Sequence, residues 1–453
     1  MELSAEIEGI IRDAASTVFA AALGGIEQRA TFSDIVKNTK ATINELGCRL
    51  LEQVFKEVEK AYEKMRDRHR VIVRNKNKTR NLLTEMGSIT VHHTLYFDKS
   101  EDRYFFAIDE MLQLEKYSRI EQNLQAKLVA DATITSFGKS SELSNNIVSR
   151  QTVYNLTKRL KTIDAPVLKT ERDAKEIFIE ADEDHIHLKD GNPAEMKLVY
   201  VHEGRVTTNG RTALKNPRYF VSGENDSDTL WNDVSEYILT NYRAYNASVH
   251  LSGDGAQWIK NGINILPNVK YHLDKFHVQK ALMNISRGDK RLQTRLRRAV
   301  YSKDINTLAE LSKSVYDRFE SGNKRRMIGN CYLYISGNLD YISRENCCSA
   351  EGHISHVLSA RMSSRPMAWT RAGAERMAKL RAYFYNNGDF VHLVRFGKTE
   401  REQPQQPQAR RYLRTNNYSD GIAGAPDIHT YPLPACNHRS AGIARILKNL
   451  IKL

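Results

Sequence analysis

The chain has 453 residues, 41% apolar and 27% charged, with 68 basic against 54 acidic side chains and a net charge of +14. That length suits about two to four domains with packed cores and excludes wholesale disorder. The cationic surplus favours a polyanionic partner, nucleic acid above all, because each Lys or Arg set on a phosphate releases counterions. The five cysteines are odd in number and form no CxxC pair, so a disulfide framework and a zinc ribbon are not expected. Reduced thiols in a cytosolic protein are the default. No run of about 18 apolar residues stands out, so no membrane span is expected. The acidic start "MELSAEIEG" does not read as a signal peptide.

Residues 1–75 read as helices, with apolar spacing and alternating charge in "TINELGCRLLEQVFKEVEKAYEKMRDRHRV". Residues 76–120 switch to period two around Gly87 and predict a small β-hairpin module followed by a helix. Adjacent strand residues face opposite ways, so His92 and His93 do not form a metal pair. Residues 121–170 contain a polar turn, then Ser149 as N-cap to "RQTVYNLTKRL", the pattern of a helix-turn-helix DNA-binding domain. Arg150, Gln151, Thr152, Tyr154, Asn155 and Lys158 suit base edges and phosphates, while Val153 and Leu156 would pack inward. The plainer alternative is an ordinary capped amphipathic helix.

From 171 to 285 strands and helices mix. "EIFIEADEDHIHL", "EMKLVYVHEGRVT" and "PRYFVSGE" read as three strands, followed by the helix "DSDTLWNDVSEYILTNYRAY". "ASVHLSGD" is a fourth strand ending in a Gly-Asp-Gly turn, and "VKYHLDKF" a fifth. Residues 286–345 read as a basic helical insertion containing "KRLQTRLRR", either a solvated face or a DNA-backbone contact. Residues 346–398 return to the core, and 399–453 form a polar, Gln/Pro-rich tail expected to be disordered.

Three strands, a helix, a strand, a helix and a strand is the element order of the ribonuclease H-like fold. Such a core carries one acid on its first strand, one at the end of its fourth and one on a late helix. Here those are Asp182, Asp254 and Glu351. Alternation puts Glu180, Asp182 and Asp184 on one face of the first strand, with His185 and His187 on the other. Converging carboxylates repel, and hard divalent cations relieve the repulsion. Two ions about 3.5–4 Å apart can activate a hydroxyl and stabilise the leaving oxygen at phosphorus. Otherwise, Asp254 is a turn residue, Glu351 a first-turn helix acid and Asp274 an N-cap. His353 and His356 lack the partners a zinc site needs.

The phrases "SGDGAQWIK", "HLDKFHVQKAL" and "EGHISHVLSARMSSRPMAW" resemble bacterial insertion-sequence transposases of the ISLre type, with "TRNLLTEMGSITVHHTLYFD" and "AIDEMLQL" extending the likeness. Asp274 and His277, three apart, look like the Asp-x-x-His of the related Mutator-type Asp-Asp-Glu transposases. The resemblance covers about residues 75–395. It implies a ribonuclease H-like α/β core with a helical insertion, Asp182, Asp254 and Glu351 as metal ligands, and Asp274 and His277 beside them. Many relatives have Asp-Gly at the first position, where this chain has Asp182-Glu183-Asp184, so Asp184 is the alternative ligand. Two Mg2+ or Mn2+ ions, double-stranded DNA (terminal inverted repeats and target) and a homodimer or larger assembly are implied, in the bacterial cytoplasm. Arg361, Arg365 and Trp369 are expected to hold DNA, Trp369 being otherwise a core residue. The alternatives are a metal-dependent nuclease without strand transfer and an inactive DNA-binding regulator.

Overall fold

The computed structural model describes residues 5–115, 117–164, 172–223, 227–243, 247–320, 322–343, 350–364 and 367–397, with the side chains of 5, 77, 350 and 351 left out. The expected polar tail and Arg365 lie outside the described residues. The chain divides into two units, one reaching to Lys127 and taking in Ser144–Ile147, the other comprising Leu128–Leu143 and Val148–Lys398.

In the first unit the helical spacing yields α1 (Ala5–Glu27) and α2 (Phe32–Met65), which pack on each other. Thr31 caps α2, its hydroxyl accepting the Asp34 N–H at 3.2 Å. Within α1, Glu6–Glu27 is long and apolar enough to cross a membrane by length and composition, an exception to the sequence expectation. In the structure it is one arm of the hairpin, and Glu6 accepts from Gln53 of α2 at 2.6 Å. The period-two segment forms the antiparallel sheet β1 (Val71–Leu83), β2 (Ser88–Asp98) and β3 (Arg103–Phe106), followed by α3 (Ala107–Met111). Oε1 of buried Glu59 of α2 accepts from the Thr94 N–H at 3.1 Å and the Tyr96 hydroxyl at 3.0 Å. Helix α4 (Gln122–Ile134) runs across the boundary between the units.

The second unit opens with α5 (Phe137–Leu143) and α6 (Arg150–Arg159), whose Phe137 and Tyr154 rings meet edge to face at 5.6 Å. Its sheet comprises β4 (Glu176–His187), β5 (Pro193–His202), β8 (Arg218–Ser222), β9 (Ser248–Gly253) and β10 (Val269–Leu273). The spatial order is β10-β9-β4-β5-β8, with β10, β9 and β4 parallel and β4, β5 and β8 successively antiparallel. The expected second strand is broken. Gly204, at φ +96, ends β5, and β6 (Arg205–Thr208) with β7 (Arg211–Leu214) makes a separate hairpin. Its turn, Asn209-Gly210, has φ of +52 and +74 and is a strong local hairpin signal.

Alternation along the strands sorts the faces. Ile177, Ile179, Ala181, Val199, Val201, Val249 and Leu251 pack with Leu230, Trp231, Val234 and Ile238 of α7 (Ser227–Asn241) and Ile259 of α8 (Gln257–Asn261). The other face carries Phe178, Glu180, Asp182, Asp184, Tyr200 and His202. The basic insertion predicted over 286–345 holds α10 (Lys290–Tyr301), α11 (Ile305–Tyr316) and α12 (Gly322–Gly337), which share one core around Leu282, Ile285, Leu296, Leu308 and Ile335 with α9 (Lys275–Ser286) just before it. The chain returns in α13 (Ala350–Ile354), widens into a π-helical segment (Ser355–Ser359) and closes through α14 (Ala360–Met362), α15 (Arg371–Tyr385) and α16 (Phe390–Phe396). A π turn frees carbonyls from the i→i−4 ladder. Buried Arg381 takes them up, donating to Val357 O at 2.6 Å and to His356 O.

Candidate active site

Register brings the acids together. In the parallel pair β4–β9, Glu180 aligns with Ser252, so two residues further on Asp182 faces Asp254. In the parallel pair β9–β10, Leu273 aligns with Gly253, so the next residue puts Asp274 level with Asp254. Asp182, midway along β4, thus stands level with Asp254 and Asp274 just past the ends of β9 and β10, about 4.8 Å apart per strand step. The Asp274 N–H donates to Gly253 O at 2.8 Å and fixes that level.

The Gly-Asp-Gly turn has a steric cause. A Cβ at Gly253 would come within 2.8 Å of Ile259 and 3.2 Å of Ala181 O, so a side chain there would push β9 from β4. Gly255 has φ +99, a conformation open to glycine. Asp254 Oδ1 accepts the Ala256 N–H at 2.9 Å, and its own carbonyl accepts the Tyr334 hydroxyl of α12 at 2.6 Å. Asn338 donates to Tyr334 O at 2.8 Å, so α12 of the insertion buttresses this turn.

Burial pushes the half-buried Asp182 carboxyl up to about 6; the neighbouring Asp254 charge adds to the rise, while the Glu183 N–H and His277 oppose it. Asp274 is buried and caps α9, accepting the Phe276 N–H at 3.0 Å, with His277 Nε2 3.9 Å from its Oδ2. Asp184 is also raised by burial, but its oxygens accept from Ser363 at 3.0 and 2.9 Å, leaving it tied to the chain after α14. Glu351 lies in α13, which packs on β4; its side chain is outside the described residues. His353 of the same helix sits over this face, its Nδ1 3.1 Å from the Tyr219 hydroxyl and its ring 4.5 Å from that of Tyr200.

In α6 the Ser149 hydroxyl accepts the Thr152 N–H at 3.2 Å, as an N-cap should, and Val153 and Leu156 are buried. Arg150, Gln151, Asn155 and Lys158 are exposed, Thr152 and Tyr154 half-buried. Two expected DNA contacts are corrected. Arg361 is buried, its guanidinium held over Phe137 and Trp369 at 5.4 and 5.0 Å and its Nε donating to Ala132 O at 3.1 Å. Trp369 is buried too; its indole N–H donates to Met362 O and its backbone bridges the end of β4 through His187 and Lys189. Both serve the core, and neither is open to a DNA strand.

On the opposite face of β4, Glu183, His185 and Glu195 bring ligand-type atoms within 4.8 Å of one another. Glu183 is already engaged by the Trp258 indole N–H. Tyr334, Asn338, Ser363 and Arg381 escaped sequence reasoning. The partners of Tyr334, Ser363 and Arg381 lie tens of residues away, and no local pattern marks any of the four.

The model of the uncharacterised protein family UPF0236 matches residues 26–400. A UPF0236 protein of Caldanaerobacter subterraneus subsp. tengcongensis is 32% identical over 376 residues, covering 81% of this chain and 80% of the relative, and its name joins eleven locus designations. Another from the same organism is 32% identical over 376 residues, covering 81% of each chain. The UPF0236 protein in the vanSb 3′ region of Streptococcus gallolyticus is 24% identical over 307 residues, covering 62% of this chain and 67% of its own. With a match across most of its length, the chain belongs to the UPF0236 family.

Proposed function

We propose that this chain is a DNA transposase with a ribonuclease H-like core, cutting strands at element ends and joining them to target DNA. The observation that carries the reading is the register that sets Asp182, Asp254 and Asp274 level on three adjacent parallel strands. The strand order, one antiparallel meander flanked by two parallel strands on the side of its first strand, is the order such a core requires. The +14 charge suits a DNA substrate. A relative whose name joins eleven loci is what a sequence copied through one genome would carry.

The donor set fits a hard divalent cation. It is all carboxylate oxygen, and the burial that lifts Asp182, with the Asp254 charge adding to it, is what a bound cation would offset. Asp182, Asp254 and Glu351 would hold Mg2+ or Mn2+, which supplies charge neutralisation at phosphorus and activation of the attacking oxygen. Asp254 is oriented by the Ala256 N–H and by Tyr334. Asp274 and His277 flank the scissile strand, and Asp184 holds Ser363 in place. Exposed residues of α6 read the terminal repeat. Two DNA ends must be paired, so at least two copies assemble on bacterial DNA in the cytoplasm.

The test uses the full chain, a divalent cation and labelled duplexes from the DNA flanking its gene. Wild type should release a 3′-hydroxyl and, given a pre-cut end, join it to a second duplex. Asp182→Asn and Asp254→Asn should each cut at least about a thousandfold more slowly, and Asp184→Asn only severalfold. Cutting by Asp254→Asn at the wild-type rate sinks the reading, whereas cutting without joining reduces it to a nuclease.

A further inference from the structure

Between α9 and α10 lies a cleft of about 480 Å³ lined by Lys275, Gln279, Thr294, Arg297, Arg298 and Tyr301. We propose that this cleft is a phosphate-backbone seat, holding the DNA strand beside the carboxylates. The proposal rests on the transposase reading only for the identity of the polyanion.

The lining comes from two helices at helical spacing: Lys275 and Gln279 on α9, and Thr294, Arg297, Arg298 and Tyr301 on α10. Three cations, two hydroxyls and an amide converge there, and no carboxylate lines the cleft. Gln279 Oε1 accepts from Arg297 Nη2 at 3.2 Å, which orients one guanidinium fork. A common core holds the helices beneath: Val278, Ala281 and Leu282 of α9 are buried together with Leu296, Ala299 and Val300 of α10. Position ties the cleft to the site. Lys275 follows Asp274 directly, so one helix turn carries both the last acid of the strand ends and the first cation of the cleft. A phosphodiester backbone, with one anionic oxygen pair per nucleotide, matches forked and hydroxyl donors and needs no base-specific group. A merely solvated basic helix would spread its charge, as α10 does through the exposed Arg291 and Arg295, which do not line the cleft.

The experiment compares two doubly substituted full chains matched in charge. Binding of a labelled duplex from the gene's flank is followed by anisotropy, in EDTA, from about 50 to 200 mM salt. Arg297→Ala with Arg298→Ala should weaken binding about tenfold and lower the slope of log K against log salt by roughly two, about 0.9 for each phosphate no longer neutralised. Arg291→Ala with Arg295→Ala should weaken it less than about twofold with the slope kept. Arg297→Lys with Arg298→Lys should restore most of the slope, since the charges remain. Equal losses in the two alanine pairs would overturn the cleft and leave the transposase reading standing. A wild-type chain that binds no duplex even at the lowest salt would overturn both.

Discussion

At Asp182 the carboxyl lies at about 6 against an ordinary 3.8, with burial as the main cause and Asp254 adding to it. Between about pH 4 and 6 the folded chain holds a proton the unfolded chain has lost, so the group's stabilising contribution falls as pH rises through that window. Asp182→Asn removes the titration. In EDTA its melting temperature should match wild type near the lower end of the window and exceed it above the upper end. That gain corresponds to at most about 3 kcal/mol, less for the solvent that reaches this half-buried group. Added Mg2+ should raise the wild type and leave the variant unmoved. A variant that melts below wild type at pH 8 without a divalent ion would show that the carboxylate is favourably solvated, against this account. Asp184 has a similar burial but a different partner, Ser363, so its substitution should cost stability at neutral pH. Arg361 and Trp369 carry the opposite lesson about single residues. A cation and an aromatic near each other in sequence suggest a DNA grip, yet a guanidinium sandwiched between two rings with a backbone carbonyl on its Nε is a core element.

Among the elements, α12 has a consequence out of proportion to its distance along the chain. Its Tyr334 hydroxyl ties the insertion to the carbonyl of Asp254. Tyr334→Phe should cost about 1 kcal/mol in urea unfolding. It should also slow cleavage severalfold, with duplex binding unchanged; unchanged cleavage would make the hydrogen bond purely structural. None of this is visible in the sequence, because the partners lie 80 residues apart. What is visible is local. The alternation Ile177, Ile179, Ala181 against Phe178, Glu180, Asp182 marks both faces of β4, and Ser149 marks the start of α6. The glycines around Asp254 mark a turn, but their reason, close approach to Ile259 and a positive φ, needs the fold. The three-acid level depends on pairing Glu180 with Ser252 and Gly253 with Leu273, which periodicity cannot specify. The hairpin of β6 and β7 was legible, in Asn209-Gly210, and is overridden in a reading that follows apolar content alone.

For the whole chain, the proposed pairing of two DNA ends calls for self-association. The first unit offers a surface for it: Phe19, Ile26 and Phe32 are 66%, 62% and 80% exposed on the α1–α2 hairpin. A full chain with Phe19→Lys and Ile26→Lys should lose mass by light scattering toward a single copy, with cutting of single ends kept and joining of paired ends lost. Unchanged mass would remove these helices from the assembly. The π-helical segment Ser355–Ser359 stands between the helix that bears Glu351 and the Ser363 that answers to Asp184. Each helical residue turns the chain by about 100°. Losing one residue there would rotate everything before it against everything after it, although no acid, base or hydrogen-bonding group had been removed. The segment therefore acts as a spacer that counts residues, and a one-residue deletion within it should be as silencing as the loss of a carboxylate.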